Sequence, residues 1–325
     1  MKLLFKILLS AFVLLLLSGV AGYFYMRQKF IPAPNQLVVT GLPATTSFTW
    51  LADTVGGRAM PHAALLVPVQ VPGCPRTCFL QFDTGAPYSM LYARSLATLQ
   101  RRYPALLLAL SANADTVRNF RFALGGGQVQ ARWMRVKPFG AAELPPDSTA
   151  PFIIGTLGTD ALEGRALVLD YPRRRFSLAA RVPDTLAQRA AFAPLAFDNR
   201  RVLVSMGLQG ESKQLLFDSG SSAFALITSQ EAWQHMARPG APARAVEVGS
   251  MGKPLTAHTA ATAATLTLGA ATLPLNTVTY ITGTNWQENI LMRFSGMGGM
   301  LGNEPFSGHT VIFDVAGGRF GLVPR

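Results

Sequence analysis

The chain repeats itself, and that repeat restricts the folds open to it more than any other feature. Residues 158–178 align without a gap onto residues 302–322, a constant step of 144. Six positions are identical: Gly158/Gly302, Gly164/Gly308, Asp170/Asp314, Arg175/Arg319, Phe176/Phe320 and Leu178/Leu322. Upstream, an apolar run at 66–71, a turn and a second run at 79–82 end on Asp83-Thr84-Gly85. The same order recurs as a run at 202–208, a turn and a run at 214–217, ending on Asp218-Ser219-Gly220. Each acidic turn leads into another apolar run, closing near Leu91 and Ile227, and then into a helix-forming stretch at 92–99 or 228–237. Thr228 or Ser229 is placed to cap the second of these. Two similar units in one chain imply a pseudo-twofold molecule in which equivalent residues of each half meet at a shared interface.

From about residue 61 onward the sequence is a succession of short runs rich in Val, Leu, Ile and Phe, broken by Gly, Pro and Asn, which reads as β-strands. The expected fold is all-β, with two similar β-barrel-like lobes at 61–180 and 181–325, joined around 179–199. Apolar residues make up 49% of the 325 and charged residues 14%, so each lobe can bury a core and disorder over most of the length is excluded. Residues 30–60 open on Ile31-Pro32-Ala33-Pro34 and read as a connector or stalk.

Ahead of that connector, residues 7–25 are apolar, between Lys2 and Lys6 on one side and Arg27 and Lys29 on the other. A stretch of that length can cross a bilayer once. Residues 1–29 are therefore expected to be a transmembrane anchor that holds the lobes outside the cytoplasm, with Tyr23, Phe24 and Tyr25 at the membrane interface. Gly19-Val20-Ala21 also offers a cleavage pattern, and cleavage there would leave a secreted protein. Cys74 and Cys78 are the only cysteines, with no second pair or His cluster to complete a metal site. In an exported protein such a pair is expected to be a disulfide across a hairpin end. The net charge of +12 favours anionic surfaces such as phospholipid head groups, but the basic residues are scattered and no nucleic-acid module accompanies them. Arg173-Arg174-Arg175 lies between two β-like runs and reads as a solvated turn.

One Asp-Thr-Gly or Asp-Ser-Gly is weak evidence of chemistry, because Asp before Gly is common in plain turns. Two of them, each after a Phe-ended apolar strand and in corresponding places of a repeat, point to Asp83 and Asp218 as a working pair. Two carboxyl groups brought together at a symmetric interface cannot easily both ionise, so they share a proton, for which the aspartic protease dyad is the standard example. The charged member can then take a proton from a water while the neutral one hydrogen-bonds to a carbonyl. Gly85 and Gly220 permit tight turns beside the carboxylates. Thr84 and Ser219 supply hydroxyls that can bond across the interface and hold the two turns in register.

The paired segments Phe82-Asp83-Thr84-Gly85-Ala86 and Phe217-Asp218-Ser219-Gly220-Ser221 resemble the active-site motifs of aspartic peptidases, pepsin-like or retropepsin-like. Ile153-Ile154-Gly155-Thr156-Leu157-Gly158 and Gly299-Met300-Leu301-Gly302 are similar to the apolar-apolar-Gly segment that backs each active-site loop in that family. The resemblance runs from about residue 61 to the end. It implies an acid-protease fold with a substrate cleft between lobes, a polypeptide substrate, no cofactor or metal, and a monomer. Pepsin-like enzymes carry a Tyr on a flap hairpin of the first lobe. The hairpin at 120–136, turning at Gly125-Gly126-Gly127, has Trp133 but no Tyr, whereas 246–260, around Gly249-Ser250-Met251-Gly252, is a second-lobe candidate. Ala86 stands where many acid-acting relatives have a Ser hydroxyl that bonds the charged carboxylate. Its loss implies a weakly acidic working range.

Other chemistries find less support. There is no Gly-x-Ser-x-Gly elbow and no phosphate-binding loop ending in Lys-Ser/Thr, and His62, His235, His258 and His309 show no ligand spacing. Asp170 and Asp314, equivalent by the repeat, read as turn-holding residues. The alternative from a different class is a non-catalytic bilobal envelope protein that binds peptides or partners. Intact acidic motifs in both halves count against it, since a scaffold has no need of two carboxylates that are costly to bury.

Overall fold

In the computed structural model of the chain, residues 6, 12–20, 22, 31–55, 57–106, 108–110, 114–250, 253–283 and 298–324 are described. Residues 12–20 are helical, and of the expected anchor at 1–29 residues 1–5, 7–11, 21 and 23–29 lie outside the described residues. Among the described residues no helix is long and apolar enough to cross a membrane. Residues 35–325 form one compact unit.

The first half of that unit contains strands β1 (Leu37–Thr40), β2 (Ala44–Ser47), β3 (Thr49–Val55), β4 (Arg58–Val69), β5 (Cys78–Phe82) and β6 (Met90–Tyr92). Helix α1 (Ala93–Arg102) follows, then β7 (Ala109–Leu110), β8 (Thr116–Leu124), β9 (Gly127–Lys137), β10 (Ile153–Leu157), β11 (Ala166–Asp170) and β12 (Arg175–Ala179). After the short helix α2 (Asp184–Ala187) come β13 (Ala191–Asp198), β14 (Arg201–Leu208), β15 (Glu211–Phe217), β16 (Leu226–Ile227) and helix α3 (Gln230–Met236). The chain ends with β17 (Arg244–Ser250), β18 (Lys253–Ala261), β19 (Thr265–Leu268), β20 (Ala271–Pro274), β21 (Thr277–Thr282), β22 (Met300–Leu301), β23 (Thr310–Asp314) and β24 (Arg319–Val323). The protein is mostly β, and Ser229 caps α3 by accepting from the Ala232 N–H at 3.1 Å.

The stretch expected to be a stalk is instead part of the folded unit. β1 pairs with β9, β2 with β12, and β3 with β4. Leu37, Ala44 and Phe48 alternate inward and are buried, which a polar-looking Pro/Thr segment does not advertise.

A six-stranded ribbon, β13-β24-β23-β11-β12-β2, joins the halves. At its centre β11 pairs antiparallel with β23, Ala166 opposite Asp314, Val168 opposite Ile312 and Asp170 opposite Thr310. Val168 and Ile312 are 144 positions apart, so repeat-mates face each other and the pseudo-twofold axis passes between them. β11 is apolar over four successive residues because both faces of this ribbon are covered. The outer turns match as well. Asp170 accepts from the Arg173 N–H at 3.0 Å and Asp314 from the Gly317 N–H at 2.9 Å, each carboxylate also binding an arginine. Both aspartates hold turns, and the arginine run at 173–175 is exposed.

Cys74 and Cys78 are buried free thiols with their sulfurs 3.9 Å apart. That is van der Waals contact, far beyond the ~2.05 Å of a disulfide bond, so the expected bridge is not present. Both thiols point at the Arg76 carbonyl, and burial pushes the Cys78 thiol well up.

Candidate active site

Each acidic turn is placed by the same construction. In the first half β5 runs parallel to β10, with Phe82 opposite Leu157, and the Asp83 N–H donates to the Leu157 carbonyl at 3.1 Å. In the second half β15 runs parallel to β22, with Phe217 opposite Leu301, and the Asp218 N–H donates to the Leu301 carbonyl at 2.8 Å. Leu157 and Leu301 are again repeat-mates. Fully buried Phe82 packs on Phe176 at 5.2 Å between ring centres, and Phe217 on Phe313 at 4.8 Å and Phe320 at 5.9 Å. The aromatic residue before each aspartate therefore anchors its turn in a core.

Beyond the phenylalanines the two turns lock onto each other. The Thr84 N–H donates to Ser219 Oγ at 2.9 Å, and the Ser219 N–H donates to Thr84 Oγ1 at 2.8 Å. The same hydroxyls donate onward, Thr84 to the Phe217 carbonyl at 2.8 Å and Ser219 to the Phe82 carbonyl at 3.0 Å. Thr84 and Ser219 are buried, so these four bonds are shielded from competing water. A Cβ built on Gly85 would stand 2.7 Å from Asp218 Oδ1, and one on Gly220 would stand 2.6 Å from Asp83 Oδ1. Each carboxylate thus lies over the glycine of the opposite turn, a position only glycine leaves open.

The two carboxylates are not equivalent. Asp83 accepts from the Gly85 N–H and Asp218 from the Gly220 N–H, both at 2.8 Å. Only Asp218 receives a further side-chain donor, Ser221 Oγ at 2.9 Å, since Ala86 occupies the matching place beside Asp83. Burial, then the charge of Asp218, pushes the Asp83 carboxyl up to about 7, against the opposing bond from Gly85.

A chain this similar in its two halves invites comparison with known proteins. No known family model matches it, and no curated protein matches it in sequence. Among solved structures it is similar to an aspartic proteinase from Irpex lacteus, at 12% identity and a TM-score of 0.49, over 88% of this chain and 97% of that one. A likeness this distant assigns neither a reaction nor residues.

Several supporting groups carry no sequence signature. Asn303, just after the Gly302 of the repeat, donates to the Ser219 carbonyl at 3.2 Å and to Ser222 Oγ, and its oxygen accepts from the Tyr171 hydroxyl at 2.6 Å. Its repeat-mate Thr159 donates to the Ala86 carbonyl at 3.1 Å. Asp160, its carboxyl held above the usual range by burial, accepts from Ser89 N–H and Oγ at 2.8 and 2.7 Å. The register 159/303 could have flagged the first pair, but Ser89 and Asp160 lie 71 residues apart with no motif between them.

Of the two hairpins expected as covers, β8–β9 has its tip tied down. A Cβ on Gly125 would meet the Thr45 carbonyl at 2.2 Å, and one on Gly127 the Ala44 methyl at 2.7 Å. β17–β18 packs instead against β3 of the opposite half, and Met251 and Gly252 at its turn lie outside the described residues. Among the described residues no group of His, Cys, Asp or Glu is arranged to hold a metal ion.

Proposed function

We propose that the chain is an aspartic-type endopeptidase in which Asp83 and Asp218 share one proton. The observation that carries this reading is the reciprocal lock: two turns bonded to each other through Thr84 and Ser219, each carboxylate seated over the other turn's glycine. A scaffold gains nothing from placing two carboxylates so that one pushes the other's proton affinity up. Asp83, which has no hydroxyl donor on its own turn, holds the proton. Asp218, supported by Gly220 and Ser221, is the base.

The reaction then balances without a covalent enzyme intermediate. Asp218 takes a proton from a water, the resulting hydroxide bonds the carbonyl carbon, and Asp83 gives its proton to the carbonyl oxygen. Asp218 passes its proton to the amide nitrogen as the C–N bond breaks, and the diol returns a proton to Asp83 as its carbonyl re-forms. Polypeptide in extended form is the substrate, in a cleft between two lobes of a pepsin-like architecture, with β17–β18 as its cover. The apolar segment at 7–25 would anchor the protein to a membrane with the lobes outside the cytoplasm, acting as a monomer.

The test is cleavage of an unfolded protein by the purified chain. Asp83→Asn and Asp218→Asn should each lower kcat/KM by several orders of magnitude with the fold retained, as expected when one member of a cooperating pair is lost. Cleavage at the wild-type rate by either variant, or none by the wild type between pH 3 and 8, would refute the proposal and favour a peptide-binding role.

A further inference from the structure

Lobe one lacks the serine that supports Asp218, yet the repeat places another hydroxyl in that neighbourhood. In the second half Ser221 Oγ, besides bonding Asp218, lies 3.4 Å from Met300 Sδ on β22. The repeat-mate of Met300, one step of 144 back, is Thr156 on β10. The twofold therefore puts the buried Thr156 side chain behind the Asp83 turn, where Met300 stands behind the Asp218 turn. Thr156 Oγ1 is not alone there, because the Tyr92 hydroxyl lies 2.7 Å from it.

Tyr92 is well fixed for this. It ends β6, with Leu91 buried on one face and Met90 and Tyr92 on the other, and Met90 pairs with Thr156 across the strands. Phe139 packs edge-on against the Tyr92 ring at 5.8 Å, and a Cβ on Gly140 would meet Tyr92 Cβ at 2.9 Å. The phenol is held above its ordinary range chiefly by burial, against the Thr156 bond, with the charge of Asp83 a smaller contribution in the same direction. Other charged groups near it are few. Lys137 and Arg135 stand opposite Tyr92 and Met90 on β9, the Arg135 guanidinium lies over the Tyr88 ring at 4.9 Å, and Arg94 follows on α1. β10 carries no charge, and neither does 138–142.

We propose that Tyr92 and Thr156 are positioning residues whose coupled hydroxyls support the ionised form of Asp83, in place of the serine missing from the first turn. With Tyr92 donating to Thr156, the Thr156 hydrogen is free to face the turn. The asymmetry of the dyad is thus built from both ends: lobe two has its hydroxyl on the turn and a thioether behind it, and lobe one has a methyl on the turn and a hydroxyl pair behind it.

The inference rests on the dyad reading, but its test does not need activity. In the full chain labelled with 13C at aspartate carboxyls, the Asp83 signal, assigned by its loss in Asp83→Asn, is followed against pH. Tyr92→Phe and Thr156→Val should each raise its midpoint by about half a unit or more, because a lost donor makes ionisation less favourable. Thr156→Ser, which keeps the hydroxyl, should leave the midpoint in place, and Ala86→Ser in the Tyr92→Phe background should bring it back down. If the wild type cuts peptide, the alkaline limb of kcat should move with the midpoint while KM stays. An Asp83 midpoint that is the same in wild type, Tyr92→Phe and Thr156→Val overturns the inference whether or not the wild type is active. So does a Thr156→Ser midpoint displaced as far as that of Thr156→Val.

Discussion

Asp83 spends folding free energy to be where it is. Its ordinary value is 3.8, and burial beside Asp218 raises it to about 7, so the folded state binds its proton more tightly than the unfolded chain does. The sign follows: the proton stabilises the fold fully below pH 3.8, and that contribution drains away as pH rises through about 7. Removing the ionisable group removes the loss. Asp83→Asn should therefore be more stable than wild type at pH 8, by roughly 2–4 kcal/mol at about 1.4 kcal/mol per unit, with the difference closing toward pH 4. Urea unfolding of both proteins at the two pH values checks it. Ala86→Ser supplies the donor that only the second turn now has, and it should move the whole activity profile to lower pH. An unmoved profile would show that the alanine does not set it.

At the scale of elements, the two acidic turns are precise because backbone and glycine meet there with no slack. Gly220→Ala would drive a methyl into the Asp83 carboxylate, and overpacking of that kind costs about 1–3 kcal/mol. The variant should lose both denaturant stability and most of its kcat/KM, whereas Gly126→Ala, which meets nothing within 4 Å, should lose neither. These turns were legible in the sequence because Phe-Asp-(Thr/Ser)-Gly recurs in register, and so were α1, α3 and the hairpins leading into the turns. β1, β2 and β3 were not. Their pairing partners lie on β9, β12 and β4, and the pattern of a short segment does not report a partner as far as 132 residues away, as between Thr45 and Ser177 at 2.7 Å. The cysteine pair misled for a related reason, since a spacing of four residues says nothing about whether two sulfurs meet at bonding distance.

At the scale of the whole molecule, one pseudo-twofold axis relates both the two acidic turns and the strands that join the halves. The line that relates Asp83 to Asp218 also passes between Val168 and Ile312, where Ala166, Val168, Val182, Ile312 and Val323 form a small apolar cluster apart from the main core. Each half contributes one strand to that seam, and the register is self-complementary: a strand with Val168 at its centre fits a partner with Ile312 at its centre in the same way in both directions. During synthesis the first half, with β11 complete, leaves the ribosome while β23, some 140 residues behind it, is still unmade. For that interval its inner strand has an open edge whose best available mate is the same strand of another nascent or refolding chain. Refolding from denaturant should accordingly lose yield steeply as protein concentration rises, through paired first halves that size-exclusion chromatography resolves as a transient dimer. A charge placed at the seam, Val168→Lys, should suppress that dimer and slow the final joining of the halves. A symmetry that lets one chain do the work of two thus exposes it, until the second half is made, to the company of its own copies.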